Sequence, residues 1–254
     1  MAKQRNIKRY GWTPDLPDNR DKVFEYMKLG HLPDFVDLRD KCPPVVDQLE
    51  LGSCVGNSIA SAFRFEQMRQ KAPDWQPSRL MIYYNARDLE GTEDYDSGSQ
   101  IRDGIKSIAD QGVCPETDWP YDITKFAERP PPSAYTTGLN NQAISYRRVG
   151  FSLHSMIACL ALGLPFVFGF SVYQSFESDK VASTGVVPMP TDKESVVGGH
   201  AVLCVGLDRA KETFLIMNSW GTSWGMDGYF TMPLDYLTNP NLCDDRWVVS
   251  KVEG

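Results

Sequence analysis

The change of sequence pattern around Pro130-Pro131-Pro132 constrains the fold more than any other feature of this chain. Before the three prolines, long stretches carry apolar residues at helical spacing. After them, short apolar runs are separated by Gly, Pro, Asp and Ser, which is typical of strands joined by turns. Because helices and strands are segregated along the chain, we expect an α+β fold with a helical part followed by a strand-rich part.

The individual elements follow from the same patterns. Gly112 is expected to end the third helix as a C-terminal cap. Ser152 is expected to cap a short buried helix that Gly163 ends. The predicted helices cover 54–71, 78–89, 98–111 and 153–163, and the predicted strands cover 146–151, 165–173, 200–207, 213–218 and 228–232.

The charge and the apolar runs argue against two classes of partner. Lys and Arg number 26 and Asp and Glu 33, and this net charge of −7 argues against a nucleic-acid surface and against anionic membranes. Pro165 and several polar residues interrupt the uncharged run over 150–176, so no membrane span is expected. Residues 1–20 contain no apolar core of a signal peptide, which leaves the location open between the cytoplasm and secretion with the signal absent from this chain.

The six cysteines do not form a recognisable metal motif, because no C-x-x-C pair occurs. His200 and Cys204 are four residues apart, but no second ligand pair accompanies them, so no metal is expected. Cys159 and Cys204 lie in apolar runs and are expected to be small buried side chains. One disulfide that involves Cys42 or Cys114 stays open.

Cys54 stands at the predicted start of a helix, six residues after Gln48 and directly after Gly52-Ser53. The positive end of the helix dipole favours the thiolate, which is the nucleophilic form of cysteine. Taken alone, a cysteine at a helix start is more often a structural residue.

Two further motifs lie in the strand-rich part. His200 follows two glycines and precedes an apolar run that would hold the ring still. Asn218 could accept a hydrogen bond from the imidazole, and Trp220 could shield that bond from water. Taken one by one, a buried structural histidine and an aromatic packing loop are the alternatives.

Together, Gln48, Cys54, His200 and Asn218 occur in the order and with the flanking residues of the papain-like cysteine peptidases. The chain resembles this family in Gln-x5-Cys with Gly-Ser before the cysteine, in Gly-His-Ala-Val, and above all in Asn-Ser-Trp-Gly-Thr-x-Trp-Gly-x-x-Gly-Tyr. It looks like a short member of prokaryotic or viral type, without the long helical prosegment.

The stretch Pro33–Arg39 is similar to the start of mature family members, so the resemblance spans roughly 33–233. It implies a papain-like two-lobe fold with the active-site cleft between the lobes. Residues 1–33 would be an N-terminal extension and 34–254 the peptidase domain, with a helical lobe over about 42–140, an antiparallel β-barrel-like lobe over about 141–235 and a C-terminal tail over 236–254.

The resemblance also assigns roles. Cys54 would be the nucleophile that forms a thioester, His200 its general base and acid, and Asn218 the residue that orients the ring. Gln48 and the Cys54 backbone N–H would form the oxyanion hole. The residues expected to contact the substrate are Ser97, Gly98, Ser99, Gly199, Ala201 and Trp220, with Gly199 and Ala201 bordering the S2 pocket.

No metal or organic cofactor is expected. The expected partners are peptide or protein substrates, with protein inhibitors as further partners, and the chain is expected to be a monomer. A thiolate–imidazolium pair would lower the pKa of Cys54, raise that of His200 and make activity bell-shaped in pH.

Three positions depart from the family pattern. Leu51 replaces a family cysteine, so the disulfide of that cysteine should be absent. Val55 stands where an aromatic residue is usual, and Ser99 stands where glycine is more common.

Alternatives remain for both the extension and the function. Residues 1–33 would be either a packed surface arm or a short pro-segment that covers the cleft and is removed on maturation. A transpeptidase or ligase would use the same triad, and a silent binding homologue would not need to retain all four catalytic residues.

Overall fold

The computed structural model describes residues 10–25 and 31–253. The helices are α1 (Cys54–Gln70), α2 (Arg79–Glu90), α3 (Ile101–Asp110), α4 (Pro132–Gly138), α5 (Leu153–Ala161), α6 (Asp179–Thr184) and α7 (Leu234–Thr238). The strands are β1 (Phe35–Asp37), β2 (Ala143–Arg148), β3 (Phe166–Tyr173), β4 (Val196–Asp208), β5 (Thr213–Met217), β6 (Tyr229–Pro233) and β7 (Cys243–Val252). The fold is α+β, as predicted.

Helix α1 joins the helices to the sheet. It packs against α2 and α3 on one side and against β3, β4 and β7 on the other. Gly56 permits the close approach to α2, because a Cβ at this position would lie 2.7 Å from the backbone oxygen of Arg79. Helix α1 is therefore almost wholly buried, and its first residue, Cys54, points toward the sheet.

The seven strands of the described residues form one antiparallel sheet in the order β2-β7-β3-β4-β5-β6, with β1 paired to β4. In the β3–β4 pair, Phe170 lies opposite His200 and Gly169 opposite Ala201. No pairing joins β2 to β6 among the described residues, so the sheet is not closed and the expected barrel-like shape is not observed. The open, twisted sheet buries one of its faces against α1, so its apolar residues are covered without closure into a barrel.

The C-terminal residues are not the tail that the sequence analysis expected. Strand β7 lies between β2 and β3, in the interior of the sheet, and Trp247 is almost fully buried. The strand escaped the sequence analysis because Asp244, Asp245 and Arg246 interrupt its apolar pattern. Two of these charged residues, Asp245 and Arg246, are buried and hydrogen-bonded rather than exposed, so the usual alternation of polar and apolar residues fails here.

Most predicted boundaries agree with the structure to within a few residues. Strand β2 ends at Arg148 rather than 151, and β4 extends back to Val196. Helix α5 is capped as predicted, since the Ser152 side chain accepts a hydrogen bond from the Ser155 N–H.

All six cysteines lie in the described part of the chain, and each is a free thiol, so neither Cys42 nor Cys114 forms the disulfide that the sequence analysis left open. Over the described residues, no helix is long and apolar enough to cross a membrane.

Candidate active site

The Cys54 side chain is fully buried at the start of α1. Its Sγ accepts a hydrogen bond from the Ala201 N–H at 3.4 Å. Ala201 follows His200 on β4, so the packing of α1 against β4 brings the thiol beside the histidine-bearing strand. The thiol also lies at the positive end of the helix dipole, as the sequence predicted.

The turn before α1 is fixed by hydrogen bonds. The Gly52 N–H donates to the Asp96 carboxylate at 3.0 Å, and that carboxylate also accepts from the Tyr83 hydroxyl at 2.6 Å. The Asn57 side-chain amide donates to the backbone oxygen of Ser53 at 2.9 Å. These bonds hold the backbone that leads into Cys54.

The imidazole of His200 is fully buried and held from several sides. Its Nε2 lies 2.9 Å from Oδ1 of Asn218, which also accepts from the Ser219 N–H at 2.8 Å. Because an amide oxygen only accepts, Nε2 carries the proton in this bond. Trp220 stacks on the imidazole with ring centroids 4.9 Å apart, and Phe170 meets it edge-on at 5.7 Å.

Gln48 lies beside the Asn218 loop and is fully buried. Its Nε2 donates to the backbone oxygen of Leu51 at 2.9 Å, and its Oε1 accepts from the Ser219 hydroxyl at 2.7 Å. The backbone N–H of Gln48 donates to the Ser219 oxygen at 2.8 Å. Two adjoining groups of contacts therefore hold the four residues expected to be catalytic. One group joins Cys54 of α1 to β4, and the other joins His200 and Gln48 to Asn218 and Ser219.

Part of the N-terminal extension crosses this site; we call residues 10–21 the covering segment. The Trp12 N–H donates to the Gly199 oxygen at 2.9 Å. The Ser99 N–H donates to the Gly11 oxygen at 2.8 Å, and the Ser99 oxygen accepts from the Thr13 N–H at 3.1 Å. The backbone of Ser99 thus pairs with an extended peptide, which here belongs to the chain itself.

Two glycines allow the covering segment to approach so closely. A Cβ on Gly11 would lie 1.6 Å from the backbone oxygen of Gly52, next to the nucleophile. A Cβ on Gly98 would lie 2.5 Å from the Gly11 oxygen, and Gly98 has a φ of +75°, which favours glycine.

Burial raises the pKa of Cys54 to about 11, although hydrogen bonds from backbone N–H groups, with those of Ala201 and Gly11 the largest, act in the opposite direction. The lowered pKa expected from the sequence therefore does not hold in this covered form. The physical reason is that a thiolate sealed from water loses more solvation than the backbone hydrogen bonds around it restore.

Charged residues anchor the covering segment beyond the thiol. The carboxylate of Asp15 accepts from the Arg102 N–H at 3.0 Å and from Trp247 Nε1 at 2.8 Å. The guanidinium of Arg102 binds both carboxylate oxygens of Asp21, at 3.0 and 2.6 Å. Arg148 lies 3.3 Å from the same carboxylate.

Most of the expected substrate-contacting residues lie along this segment. Gly98, Ser99 and Gly199 contact it directly, as described above, and Ala201 and Trp220 flank the thiol and the imidazole. Ser97 does not join them, because its exposed side chain donates to the Thr92 hydroxyl at 2.9 Å.

The sequence did not predict Gly11, Trp12 or Asp245 as parts of the site. The aromatic residues in an otherwise polar extension and the glycine in the middle of the apolar run 165–173 were the available signals. Among the described residues, no group of three or more His, Cys, Asp or Glu side chains is placed to hold a metal ion.

Comparison with known proteins gives consistent matches. A model of the papain family of cysteine proteases matches residues 32–244, so the covering segment lies outside the match. The uncharacterized peptidase C1-like protein L477 of Acanthamoeba polyphaga mimivirus is 40% identical, over 98% of this chain and 81% of its own length. Procathepsin L of Felis catus is 27% identical, over 84% of this chain and 64% of its own length.

Solved structures agree with the sequence matches. Xylellain, a cysteine protease from Xylella fastidiosa, superimposes with a TM-score of 0.90 and 42% identity over the whole of both chains. Procathepsin L 3 of Tenebrio molitor superimposes with a TM-score of 0.70 over 94% of this chain and 75% of that one, and its 18% identity makes this a likeness of fold.

Proposed function

Because this chain belongs to the papain family of cysteine proteases, which are hydrolases, we propose that it cleaves peptide bonds through a thioester on Cys54. His200 acts as general base and acid, and Asn218 orients its ring. The observation that carries the proposal is the hydrogen bond of 2.9 Å between His200 Nε2 and Asn218 Oδ1, with the Cys54 thiol hydrogen-bonded to the residue that follows His200.

The reaction follows from these roles. His200 takes the thiol proton, and the Cys54 sulfur attacks the carbonyl carbon of the substrate. The C–N bond breaks, and the imidazolium gives its proton to the leaving amine. Water then attacks the thioester while His200 accepts a proton from it, and that proton returns to the sulfur when the acid leaves.

The oxyanion of each tetrahedral intermediate is stabilised by the Cys54 backbone N–H and the Gln48 side-chain amide. The bonds of Gln48 to Leu51 and Ser219 support this role, because they hold the amide without a cost of reorganisation during the reaction. Trp220 covers the His200–Asn218 bond and keeps water from competing with it.

The covering segment holds the enzyme inactive until it is displaced or removed. Three observations support this: the segment uses the backbone groups of Ser99 and Gly199 that an extended substrate would need, its Gly11 adjoins the thiol, and the thiol is fully buried beneath it. A substrate peptide and the covering segment cannot occupy the same groove.

The test compares the full chain with a variant in which the covering segment should be displaced. Gly11→Ala places a methyl group against the Gly52 backbone and should lift the segment from the thiol. At about pH 5.5, we expect iodoacetamide to label Cys54 slowly in the unaltered chain and much faster in Gly11→Ala, and only the variant should hydrolyse a peptide substrate rapidly. Asn19→Ala, an exposed change in the same segment, is the matched control and should leave both rates unchanged.

Two results would contradict the proposal. Equal labelling and hydrolysis in both chains would show that the segment does not inhibit. Rapid hydrolysis in Gly11→Ala that persists after Cys54→Ala would remove Cys54 as nucleophile. Adding an amine nucleophile to the assay identifies transfer to amines, since the acyl group then appears on the amine instead of on water.

A further inference from the structure

The turn before Cys54 is held by hydrogen bonds rather than by a disulfide. Leu51 stands at the position of a family cysteine, and all six cysteines of the described chain are free thiols. The Gly52 N–H donates to both carboxylate oxygens of Asp96, at 3.0 and 3.2 Å. A carboxylate in the loop between α2 and α3 therefore holds the turn that leads into the nucleophile.

The Tyr83 hydroxyl extends this contact to the wall of the groove. It donates to Asp96 Oδ1 at 2.6 Å and accepts from the Gly98 N–H at 3.1 Å. A carboxylate only accepts and an amide N–H only donates, so the direction of both bonds is fixed. Burial and the nearby charge of Asp96 raise the pKa of Tyr83, so the hydroxyl keeps the proton that it donates. We call Gly52, Asp96, Tyr83 and Gly98 the positioning network.

A buried arginine fixes the loop that carries Asp96. The Nη1 of Arg87 donates to the backbone oxygens of Glu93 and Tyr95, at 2.6 and 2.7 Å. Its Nε donates to the Tyr83 oxygen at 3.1 Å, and its guanidinium carbon lies 4.0 Å from the centre of the Tyr83 ring. Asp96 and Tyr83 are thus held against each other before a substrate binds, which is the preorganisation that electrostatic catalysis requires.

The two ends of the positioning network contact different parts of the site. Gly52 lies two residues before Cys54, whose backbone N–H stabilises the oxyanion in the proposed reaction. Gly98 precedes Ser99, whose N–H and oxygen pair with an extended peptide in the groove. A displacement of the Asp96 carboxylate would therefore disturb an oxyanion donor and a peptide-binding backbone together.

We propose that Asp96 and Tyr83 are positioning residues, which hold the oxyanion donor at the start of α1 in a fixed relation to the peptide-binding backbone of Ser99. The inference rests on the proposed function, because it assigns these side chains to the same reaction. The Asp96 end acts where the oxyanion forms in the transition state, so it affects kcat. The Tyr83 end acts through the groove wall, which binds the substrate before and during the reaction alike, so it affects KM.

The first experiment separates positioning from folding, in the Gly11→Ala chain whose groove should be open. Asp96→Asn keeps the shape of the side chain but places an NH2 donor beside the Gly52 N–H. We expect kcat for a peptide substrate to fall about tenfold, less than the roughly 10²–10³-fold that loss of a whole oxyanion donor costs. Alkylation of Cys54 by iodoacetamide forms no oxyanion, so its rate should stay within about twofold.

Asp94→Asn, an exposed change in the same loop, is the matched control and should leave both rates unchanged. A parallel fall of hydrolysis and alkylation in Asp96→Asn would overturn the inference, since the carboxylate would then only support the fold. An unchanged kcat would overturn it as well and would leave the proposed function intact. A Gly11→Ala chain that labels rapidly at Cys54 but cleaves no peptide would overturn the proposed function and this inference with it.

Tyr83→Phe tests the other end of the positioning network and does not depend on the folding of Asp96→Asn. Phenylalanine fills the same space but leaves the buried Gly98 N–H without its acceptor. We expect KM to rise about fivefold, the effect of one hydrogen bond, with a smaller change in kcat. Tyr84→Phe, at the adjacent tyrosine of α2 outside the network, is the control and should change neither constant.

Combining the two substitutions tests whether the side chains act as one unit. Asp96→Asn with Tyr83→Phe should lose less kcat/KM than the product of the single losses, because each single change already weakens the bond that the two side chains share. An unchanged KM in Tyr83→Phe, or losses that multiply in the double variant, would overturn the inference.

Discussion

At the scale of single residues, one hydrogen bond sets the orientation of the His200 imidazole. The imidazole of His200 is packed by Trp220 and Phe170, but aromatic contacts allow the ring to turn in its plane. The 2.9 Å bond from Nε2 to Asn218 Oδ1 removes that freedom and leaves Nδ1 as the nitrogen that can exchange a proton with the thiol.

We expect Asn218→Ala to lower kcat/KM by about 100-fold, within the range that general acid–base catalysis contributes. The lost acceptor also disfavours the imidazolium, so the alkaline limb of the pH–activity profile should move to lower pH. The measurement is the pH profile of kcat/KM in the Gly11→Ala background. Asn140→Ala, an exposed asparagine, is the control, and an unshifted profile would mean that Asn218 acts only in folding.

At the scale of elements, the position of Cys54 depends on how closely α1 can approach α2. Gly56 lies two residues after Cys54 and faces the backbone of α2. A Cβ added at this position would lie 2.7 Å from the Arg79 oxygen. In contrast, Gly104 of α3 faces the end of the Ile59 side chain on α1. A Cβ added at Gly104 would lie 2.5 Å from Ile59 Cδ1. The two helical glycines therefore differ in what an added methyl group would displace.

Gly56→Ala should destabilise the protein although alanine is the better helix former. Alanine gains about 1 kcal/mol in a helix, whereas overpacking against a fixed backbone costs about 1–3 kcal/mol or more. We expect a net loss of up to about 2 kcal/mol in the free energy of unfolding, measured in urea. Gly104→Ala should lose less, because the Ile59 side chain can rotate, and a larger loss for Gly104→Ala would refute this account of the helix packing.

At the scale of the whole molecule, the covering segment ties distant elements together through a buried charge cluster. Asp15 meets Arg102 from α3, Trp247 and Asp245 from β7, and Arg148 from β2. Burial, followed by the nearby charge of Asp245, raises the pKa of Asp15 to about 7 against the opposing effect of Arg102.

This raised pKa predicts how closure of the site depends on pH. A carboxyl group released into water returns to an ordinary pKa of about 4, so the closed state binds more protons between about pH 4 and 7. Closure is thus strongest at acid pH and weakens as the pH rises through about 7. Between pH 5.5 and 8 the free energy of opening should fall by about 1–2 kcal/mol.

Hydrogen exchange of the Trp12 and Thr13 amides, corrected for intrinsic exchange, measures this opening directly. Asp15→Asn is the informative comparison, since asparagine keeps an acceptor for Trp247 Nε1 but does not titrate. The variant should open with little dependence on pH. A segment that opens more readily at pH 5.5 than at pH 8 in the unaltered chain would contradict the prediction.

The sequence could propose candidate catalytic residues because thiol chemistry requires particular residue types in short local contexts. Cys54 at a helix start and His200 beside an apolar strand could be read from neighbouring residues, and the structure brings them to adjoining positions. Strand β7 and the burial of Asp245 could not be predicted from neighbouring residues, because local patterns treat charged residues as exposed. The ion pair of Asp245 with Arg148 across the sheet allows its carboxylate to be buried.

The sequence by itself determined the α+β class, most helices and strands, and the residues able to carry thiol chemistry, since periodicity, caps and motif residues are local properties. Only the tertiary structure decided that the sheet stays open, that β7 lies inside it, and that Gly11 and Trp12 occupy the groove between Ser99 and Gly199. It also decided that the pKa of Cys54 is raised, because desolvation depends on the contacts that bury the thiol. These outcomes follow from contacts between residues far apart in the chain, which no local pattern encodes.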